Sequence, residues 1–266
     1  AFQFSGAPDS VVPEEGGGQA VWAPDVKYNE KMDKYVMYYC TNSNFYTGTI
    51  CWATSDKIDG AYTWQGNLVY SGFNKSNMDK TDVLNYVDKE YAEANYFDAD
   101  GNYFWRQYPH AIDPTIFTDA DGRMWMVYGS WSGGIYILEI NEETGEVIHP
   151  KADPDNKVDP YFGKYLLGGG HESIEGPYII YDADAGYYYL YVSYGALQAN
   201  GGYQIRVFRS EKPDGPYVDM NGGYPAAGKG SQEEHGLKLS GNYMLPSLTK
   251  AYKATGHNSA MIDDDG

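Results

Sequence analysis

The amino-acid sequence predicts an all-β fold made of repeated hairpins, either a β-propeller or a related array. Three observations predict it. Alternating apolar and polar residues rich in Tyr, Trp, Val and Ile are typical of short antiparallel strands, with Asp-Gly, Asn-Gly and Gly-Gly turn signals between them. Helix signals are nearly absent. Four stretches also open alike, at 22–26, 112–116, 175–179 and 257–261.

These similar openings define a repeat. After Pro114 and after Pro177 the chain runs through an apolar segment, an acidic or glycine turn and an aromatic strand. Units of this kind are expected at about 22–75, 110–165 and 172–220, with a further one from 255. Because such a hairpin unit buries its face only by stacking on its neighbours, equivalent positions should meet around one axis.

The segments outside the units are interpreted as connections. Residues 79–95 fit an inserted loop between two units, with room for a helical turn or two. Residues 1–20 form a Gly-, Pro- and Glu-rich approach to the first unit, and the fourth unit stops at the turn after its first strand. We therefore expect a single propeller domain over 1–266, truncated at both ends.

The composition narrows the class of partner. The 266 residues carry a formal charge of -18, with a sequence pI near 4.5 and only 19 Lys and Arg. Phosphate binding needs clustered basic residues, so nucleic acid is not an expected partner. No apolar stretch approaches the roughly 20 residues of a membrane span. A monomer with a neutral partner is expected.

The two cysteines leave two readings open. Cys40 and Cys51 flank a polar loop and could face each other across a hairpin. Sequence spacing alone does not decide between a disulfide and a pair of buried thiols.

The openings also define a candidate site. We align the four openings on Pro24, Pro114, Pro177 and Ser259. The residues directly before these form one level, and they are Ala23, Asp113, Gly176 and Asn258. The residues one position earlier form a second level, and they are Trp22, Ile112, Glu175 and His257. In a propeller the first strand of each blade lines the central channel. Residues at these two levels should therefore converge at one mouth of the channel.

Two acidic residues, Asp113 and Glu175, at one mouth of the channel would suit glycoside hydrolysis. One protonated carboxyl, from Asp113 or Glu175, would donate to the leaving oxygen, and another carboxylate would activate water or attack. Aromatic rings such as Trp22 at a unit opening and Phe45 in the loop between two strands would stack on a sugar face. At the channel position His257 would contact a metal ion or water.

Plainer interpretations stay open for each of these residues. Asp113 and Glu175 both precede prolines in ordinary turn sequences, and His257 could be a hydrogen-bonded structural histidine. His171 begins a stretch similar to a zinc motif, but the second histidine is replaced by Glu175, so zinc is not expected there.

Six stretches together resemble glycoside hydrolase family 43, and within it the endo-acting α-1,5-L-arabinanases. They are 22–26, 111–114, 128–135, 173–178, 203–207 and 256–259. They span nearly the whole chain in family order, and only their combination is specific.

The resemblance implies a five-bladed β-propeller, incomplete in these residues, that hydrolyses internal linkages of arabinan or arabino-oligosaccharides with inversion. It implies Glu175 as the general acid and Asp113 as the residue that orients this acid and tunes its protonation. It implies that His257 contacts a structural calcium ion in the channel through water, and that Trp22 and Phe45 stack on arabinose rings. Secretion follows from a polymeric substrate.

The family's general base is an Asp in the first blade, and no such motif precedes Trp22. Asp9 and Asp25 are the nearby substitutes, but Asp9 is expected in a loop and Asp25 lies one step away from the channel-facing level. Two other functions therefore stay open: an exo-acting arabinofuranosidase or xylosidase of the same family, and a carbohydrate-binding propeller without a base.

Overall fold

The computed structural model describes residues 20–224 and 235–263. Its strands are β1 (Ala20–Asn29), β2 (Lys34–Asn42), β3 (Gly48–Ser55), β4 (Thr63–Ser71), β5 (Thr115–Thr118), β6 (Met124–Tyr128), β7 (Ile135–Ile140), β8 (Val147–Ile148), β9 (Val158–Asp159), β10 (Gly163–Leu167), β11 (Ile174–Asp182), β12 (Tyr187–Tyr194), β13 (Gln204–Ser210) and β14 (Leu237–Ser240). They form three antiparallel sheets, which confirms the predicted all-β class.

The sheets follow the chain order. The first has the strand order β1-β2-β3-β4, the second β5-β6-β7-β10-β9 with β8 beside β7, and the third β11-β12-β13-β14. The first two predicted units match the first two sheets. The third extends beyond its predicted end, because β14 joins from residues 237–240. The described part of the expected fourth unit, 255–263, contains no strand.

The first strands of the sheets contact one another. The Ile116 N–H of β5 donates to Asp25 Oδ2 of β1 at 2.7 Å, and Thr115 Oγ1 donates to the Pro177 carbonyl of β11 at 2.8 Å. The openings of the units therefore lie side by side.

Face-to-face packing of the sheets forms the core. Along β6, Met126 and Tyr128 face a cluster shared with the first sheet, while Val127 faces a cluster shared with the third. Successive side chains of a strand point to opposite faces. This explains why β6 is apolar throughout rather than alternating.

The segment at 79–95 contains more helix than a plain loop. It forms two single-turn 3₁₀ helices, at Met78–Lys80 and Val83–Asn85, and the short helix α1 (Lys89–Asn95), in which the Asp88 side chain accepts the Tyr91 N–H. Such a cap satisfies an amide that the first helical turn leaves unpaired. In the described ranges, every helix is too short or too polar to cross a lipid bilayer.

Both cysteines are buried free thiols. Cys40 pairs with Ile50 and Cys51 with Tyr39 across β2 and β3. Since directly opposed residues share a face and the next residue points away, the two thiols lie on opposite faces of the sheet. The disulfide reading is wrong, and the buried-thiol reading is confirmed.

Candidate active site

Each unit opens with one residue in the left-handed backbone region. These residues are Ala23 (φ 47°), Asp113 (φ 55°), Gly176 (φ 57°) and His257 (φ 54°). In β1 and β11 the strand pairing shifts at this point. A left-handed conformation is unfavourable for residues other than glycine and tends to occur at functional sites. The recurrence shows that the four openings are structurally equivalent.

The equivalence corrects the alignment of the fourth unit by one residue. His257, and not Asn258, has the left-handed conformation that Asp113 and Gly176 have. Asn258 therefore takes the place that proline has in the other units. The alignment on Ser259 failed because backbone conformation, which the residue types alone did not reveal, sets the register.

Asp113 is buried beside the other two functional candidates. It is 7% exposed, and its Oδ2 accepts the Gly176 N–H at 3.2 Å. Burial raises the pKa of the Asp113 carboxyl to about 6; the Glu175 charge acts in the same direction, whereas His257 and the Gly176 N–H oppose it. The sequence-predicted pair of acids is thus brought together.

Glu175 is half-buried, and two hydroxyl groups hold its carboxylate. Tyr203 OH donates to Oε1 at 2.7 Å, and Ser130 Oγ donates to Oε2 at 3.1 Å. Both residues lie within the stretches that carry the family resemblance, but sequence reasoning gave them no role. Their partner is 28 and 45 residues away in the chain, so no local signal links them to Glu175.

His257 joins the fourth opening to the third. Its N–H donates to Ser193 Oγ at 2.6 Å. Its ring lies against Gly176, where a Cβ atom would come within 3.1 Å of Nδ1. The imidazole is exposed to solvent and interacts electrostatically with Asp113.

The described side chains do not form a cluster of His, Cys, Asp or Glu ligands for calcium. Calcium takes six to eight oxygen ligands. Among the residues that the structure describes, no group of three or more His, Cys, Asp or Glu side chains could hold a metal ion. In the described part of the chain, His257 therefore belongs to no cluster of such side chains that could hold the ion without other ligands. Contact through water, which the resemblance implies, stays a prediction.

The two predicted sugar-stacking rings are exposed, and their main chains contact segments that lead to the acids. Trp22 is 45% exposed, and its carbonyl accepts from Cys40 Sγ at 3.4 Å; the same thiol contacts the main chain of Asp113. Phe45 is 84% exposed, and its carbonyl accepts from Ser132 Oγ at 3.4 Å. Both rings are available for stacking.

A ridge of rings connects the acid with the Phe45 loop, and the sequence analysis missed it. Trp131, which follows Ser130, lies 5.1 Å from His171 between ring centroids, and His171 lies 4.8 Å from Trp105. Trp105 in turn stacks with Tyr46 at 6.3 Å. Such half-exposed rings suit a sugar chain. The signal was the Tyr-Gly-Ser-Trp motif at 128–131, which sequence reasoning left without a role.

Neither substitute for the general base gains support. Asp25 Oδ2 accepts the Ile116 N–H, and its Oδ1 is 3.8 Å from Lys27 Nζ. Asp25 thus links β1 to β5. Asp9 lies outside the described residues.

The chain is similar in sequence to a known family of glycosyl hydrolases. Residues 85–266 match the sequence profile of the glycosyl hydrolases family 43. The chain is 38% identical over 256 residues to extracellular endo-α-(1→5)-L-arabinanase 2 of Bacillus subtilis. The matched region covers 92% of this chain and 48% of that protein.

Two crystal structures are similar as well. The endo-1,5-α-L-arabinanase of Thermotoga petrophila has a TM-score of 0.73 and 40% identity, over 91% of this chain and 50% of that one. A family 43 glycoside hydrolase of Bacillus licheniformis has a TM-score of 0.71 and 35% identity, over 92% and 51%. The chain spans about half the length of these relatives.

Proposed function

Because the chain belongs to glycosyl hydrolase family 43, we propose that it hydrolyses internal α-1,5-L-arabinofuranosidic linkages of arabinan with inversion. The observation that carries this proposal is the pair of carboxyl groups at neighbouring unit openings, buried Asp113 and hydroxyl-held Glu175. The relatives named as endo-arabinanases supply the substrate class.

Glu175 acts as the general acid. Its carboxyl group gives a proton to the glycosidic oxygen as the bond to the anomeric carbon breaks. In an inverting enzyme a second carboxylate, roughly 6.5–9.5 Å away, takes a proton from water on the opposite face of the sugar. No residue is assigned to that base, since Asp25 is engaged between strands and Asp9 is not described.

Asp113 supports the acid in two ways. Its negative charge lies beside Glu175, where like charges repel each other. Its Oδ2 accepts the N–H of Gly176, the residue after Glu175, and this bond fixes the backbone that carries the acid. Like charges at close range are a general means of holding one carboxyl group protonated.

The substrate lies across the exposed rings. Trp22 and Phe45 stack on arabinose units, and the ridge of Trp131, His171, Trp105 and Tyr46 continues the contact from the acid toward Phe45. Stacked rings hold a sugar by its apolar face and leave its hydroxyl groups free for hydrogen bonds.

The wider architecture is part of the proposal. The three sheets correspond to blades of a five-bladed propeller, and the turn at His257 opens another blade. Side-by-side first strands support this arrangement. Secretion is supported by relatives that are named extracellular.

Product analysis on linear α-1,5-arabinan tests the function. Endo action should release oligosaccharides of several lengths, while exo action would release a single small product from the start. Glu175→Gln should lower kcat by at least about 100-fold on arabinan, because general acid catalysis contributes 10²–10⁴. Its affinity for arabino-oligosaccharides should be retained. Undiminished turnover by this variant would refute the assignment, and binding without turnover by the unaltered protein would favour a carbohydrate-binding module.

A further inference from the structure

A buried tyrosine from another part of the third sheet holds the candidate acid. Tyr203 immediately precedes β13, is 1% exposed, and donates its phenolic hydrogen to Glu175 Oε1 at 2.7 Å. Ser130 occupies the other carboxylate oxygen. A carboxylate bonded at both oxygens has little freedom to rotate, and functional side chains depend on such support for their orientation.

Tyr203 is also connected to the turn that opens the fourth unit. The His257 N–H donates to Ser193 Oγ at 2.6 Å, and the fully buried Ser193 lies beside Tyr203, since a Cβ atom on Gly256 would meet both side chains. The Tyr203 ring packs so closely on Gly256 that a Cβ atom there would lie 2.3 Å from it. A chain of contacts thus runs from His257 through Ser193 and Tyr203 to Glu175.

The phenol of Tyr203 remains a hydrogen-bond donor well above neutral pH. Burial raises the pKa of Tyr203 far above its usual range, and the Glu175 charge adds to the effect. A hydrogen bond to the charged form of a carboxyl group favours that form. This donor therefore stabilises the Glu175 carboxylate that remains once the proton has moved to the leaving oxygen.

We propose that Tyr203 is a positioning residue that orients Glu175 and stabilises its carboxylate after proton transfer, and that Ser193 links this role to the His257 turn. The inference rests on the proposed role of Glu175 as general acid. It assigns no new contact with the substrate.

Tyr203→Phe tests the inference, because it keeps the ring on Gly256 and removes only the hydroxyl group. We expect kcat on arabinan to fall about 10- to 100-fold, since misplaced catalytic groups lose factors of this size. KM should stay unchanged. On aryl arabino-oligosaccharides whose leaving group needs no proton, kcat should fall less than about threefold. The basic limb of the pH–rate profile should move to higher pH.

Two further variants complete the test. Tyr194→Phe is the matched control: Tyr194 is 1% exposed in β12, and its hydroxyl has no hydrogen-bond partner within 20–224 and 235–263, so rates should stay at the level of the unaltered protein. Ser193→Ala keeps the phenol and should change the same parameters in the same direction, but less. Thermal unfolding confirms that each variant is folded.

Two results would overturn the inference: equal losses on both substrates with an unmoved pH profile, or unaltered rates for Tyr203→Phe. Glu175→Gln, measured in parallel, separates the two proposals. If Glu175→Gln turns over arabinan normally, the proposed function fails. If it is inactive on arabinan while Tyr203→Phe is unaltered, only the role of Tyr203 fails.

Discussion

At the residue scale, Asp113 combines an unusual backbone conformation with a buried carboxyl group whose charged form is unfavourable. Its φ of 55° lies in the left-handed region, which Asp tolerates better than most residues because its short side chain can bond locally. Its carboxyl group bonds to the neighbouring unit instead, at Gly176. Burial raises the pKa of Asp113 to about 6. The folded protein therefore binds this proton more tightly than the unfolded chain does.

This difference gives Asp113→Asn a pH-dependent effect on stability. A carboxyl group with a raised pKa contributes stability that is fully present below 3.8 and is lost as the pH rises through about 6. Asparagine cannot ionise, yet it can still accept the Gly176 N–H. The variant should thus gain free energy of unfolding, relative to the unaltered protein, between pH 4 and pH 7. Denaturant titrations at both values measure it.

Asp113→Asn should also change the pH dependence of the reaction rate. Because the variant lacks the negative charge that repels a second charge at Glu175, the basic limb of its pH–rate profile should shift to lower pH. If the difference in unfolding free energy between the variant and the unaltered protein were the same at pH 4 and pH 7, it would contradict this account of Asp113.

At the scale of elements, the turn into β11 determines how the acid is presented. Gly176 has φ 57° and lies against the His257 ring. A side chain at this position would meet two independent penalties. One is the left-handed conformation, about 1–2 kcal/mol for a residue with a Cβ. The other is contact with the imidazole at 3.1 Å.

Gly176→Ala should therefore lower both stability and activity, and Gly186→Ala is its matched control. Gly186 has φ 70° in the turn between β11 and β12, but a Cβ there would have no neighbour within 4 Å. Both variants should lose about 1–2 kcal/mol of unfolding free energy, Gly176→Ala more. Only Gly176→Ala should lose kcat. Similar kcat losses in both variants would mean that backbone strain alone, and not contact with His257, affects the site.

At the scale of the whole molecule, the sheets are joined through their first strands, and Asp25 lies at one such junction. Its Oδ2 accepts the Ile116 N–H at 2.7 Å, which connects β1 to β5. In the described ranges, Asp25 is also the sequence-predicted substitute for the general base. These two roles have different consequences for substitution.

Asp25→Asn should leave kcat within about threefold of the unaltered value if Asp25 only joins the sheets. The amide oxygen can still accept the Ile116 N–H. Asp25→Ala removes the acceptor and should lower the unfolding free energy by about 1–3 kcal/mol, because a buried donor is left unsatisfied. A loss of 100-fold or more in kcat for Asp25→Asn, with stability retained, would instead identify Asp25 as a base.

The sequence by itself determined the features that depend on neighbouring residues. Alternation and turn residues predicted an all-β chain, and the repeated openings placed Asp113, Glu175 and His257 at neighbouring turns. The stretches around them also predicted the family. Such features are local: periodicity, turn chemistry and short motifs are written in a few adjacent residues.

Only the tertiary structure decided the contacts between distant segments. The register of His257, the separation of Cys40 from Cys51 and the attachment of β14 depend on backbone conformation and strand pairing. The hydroxyl groups that hold Glu175 come from 28 and 45 residues away, and the bond from His257 to Ser193 spans 64. Contacts at such separations arise from the packing of whole sheets, and no pattern of adjacent residues specifies them.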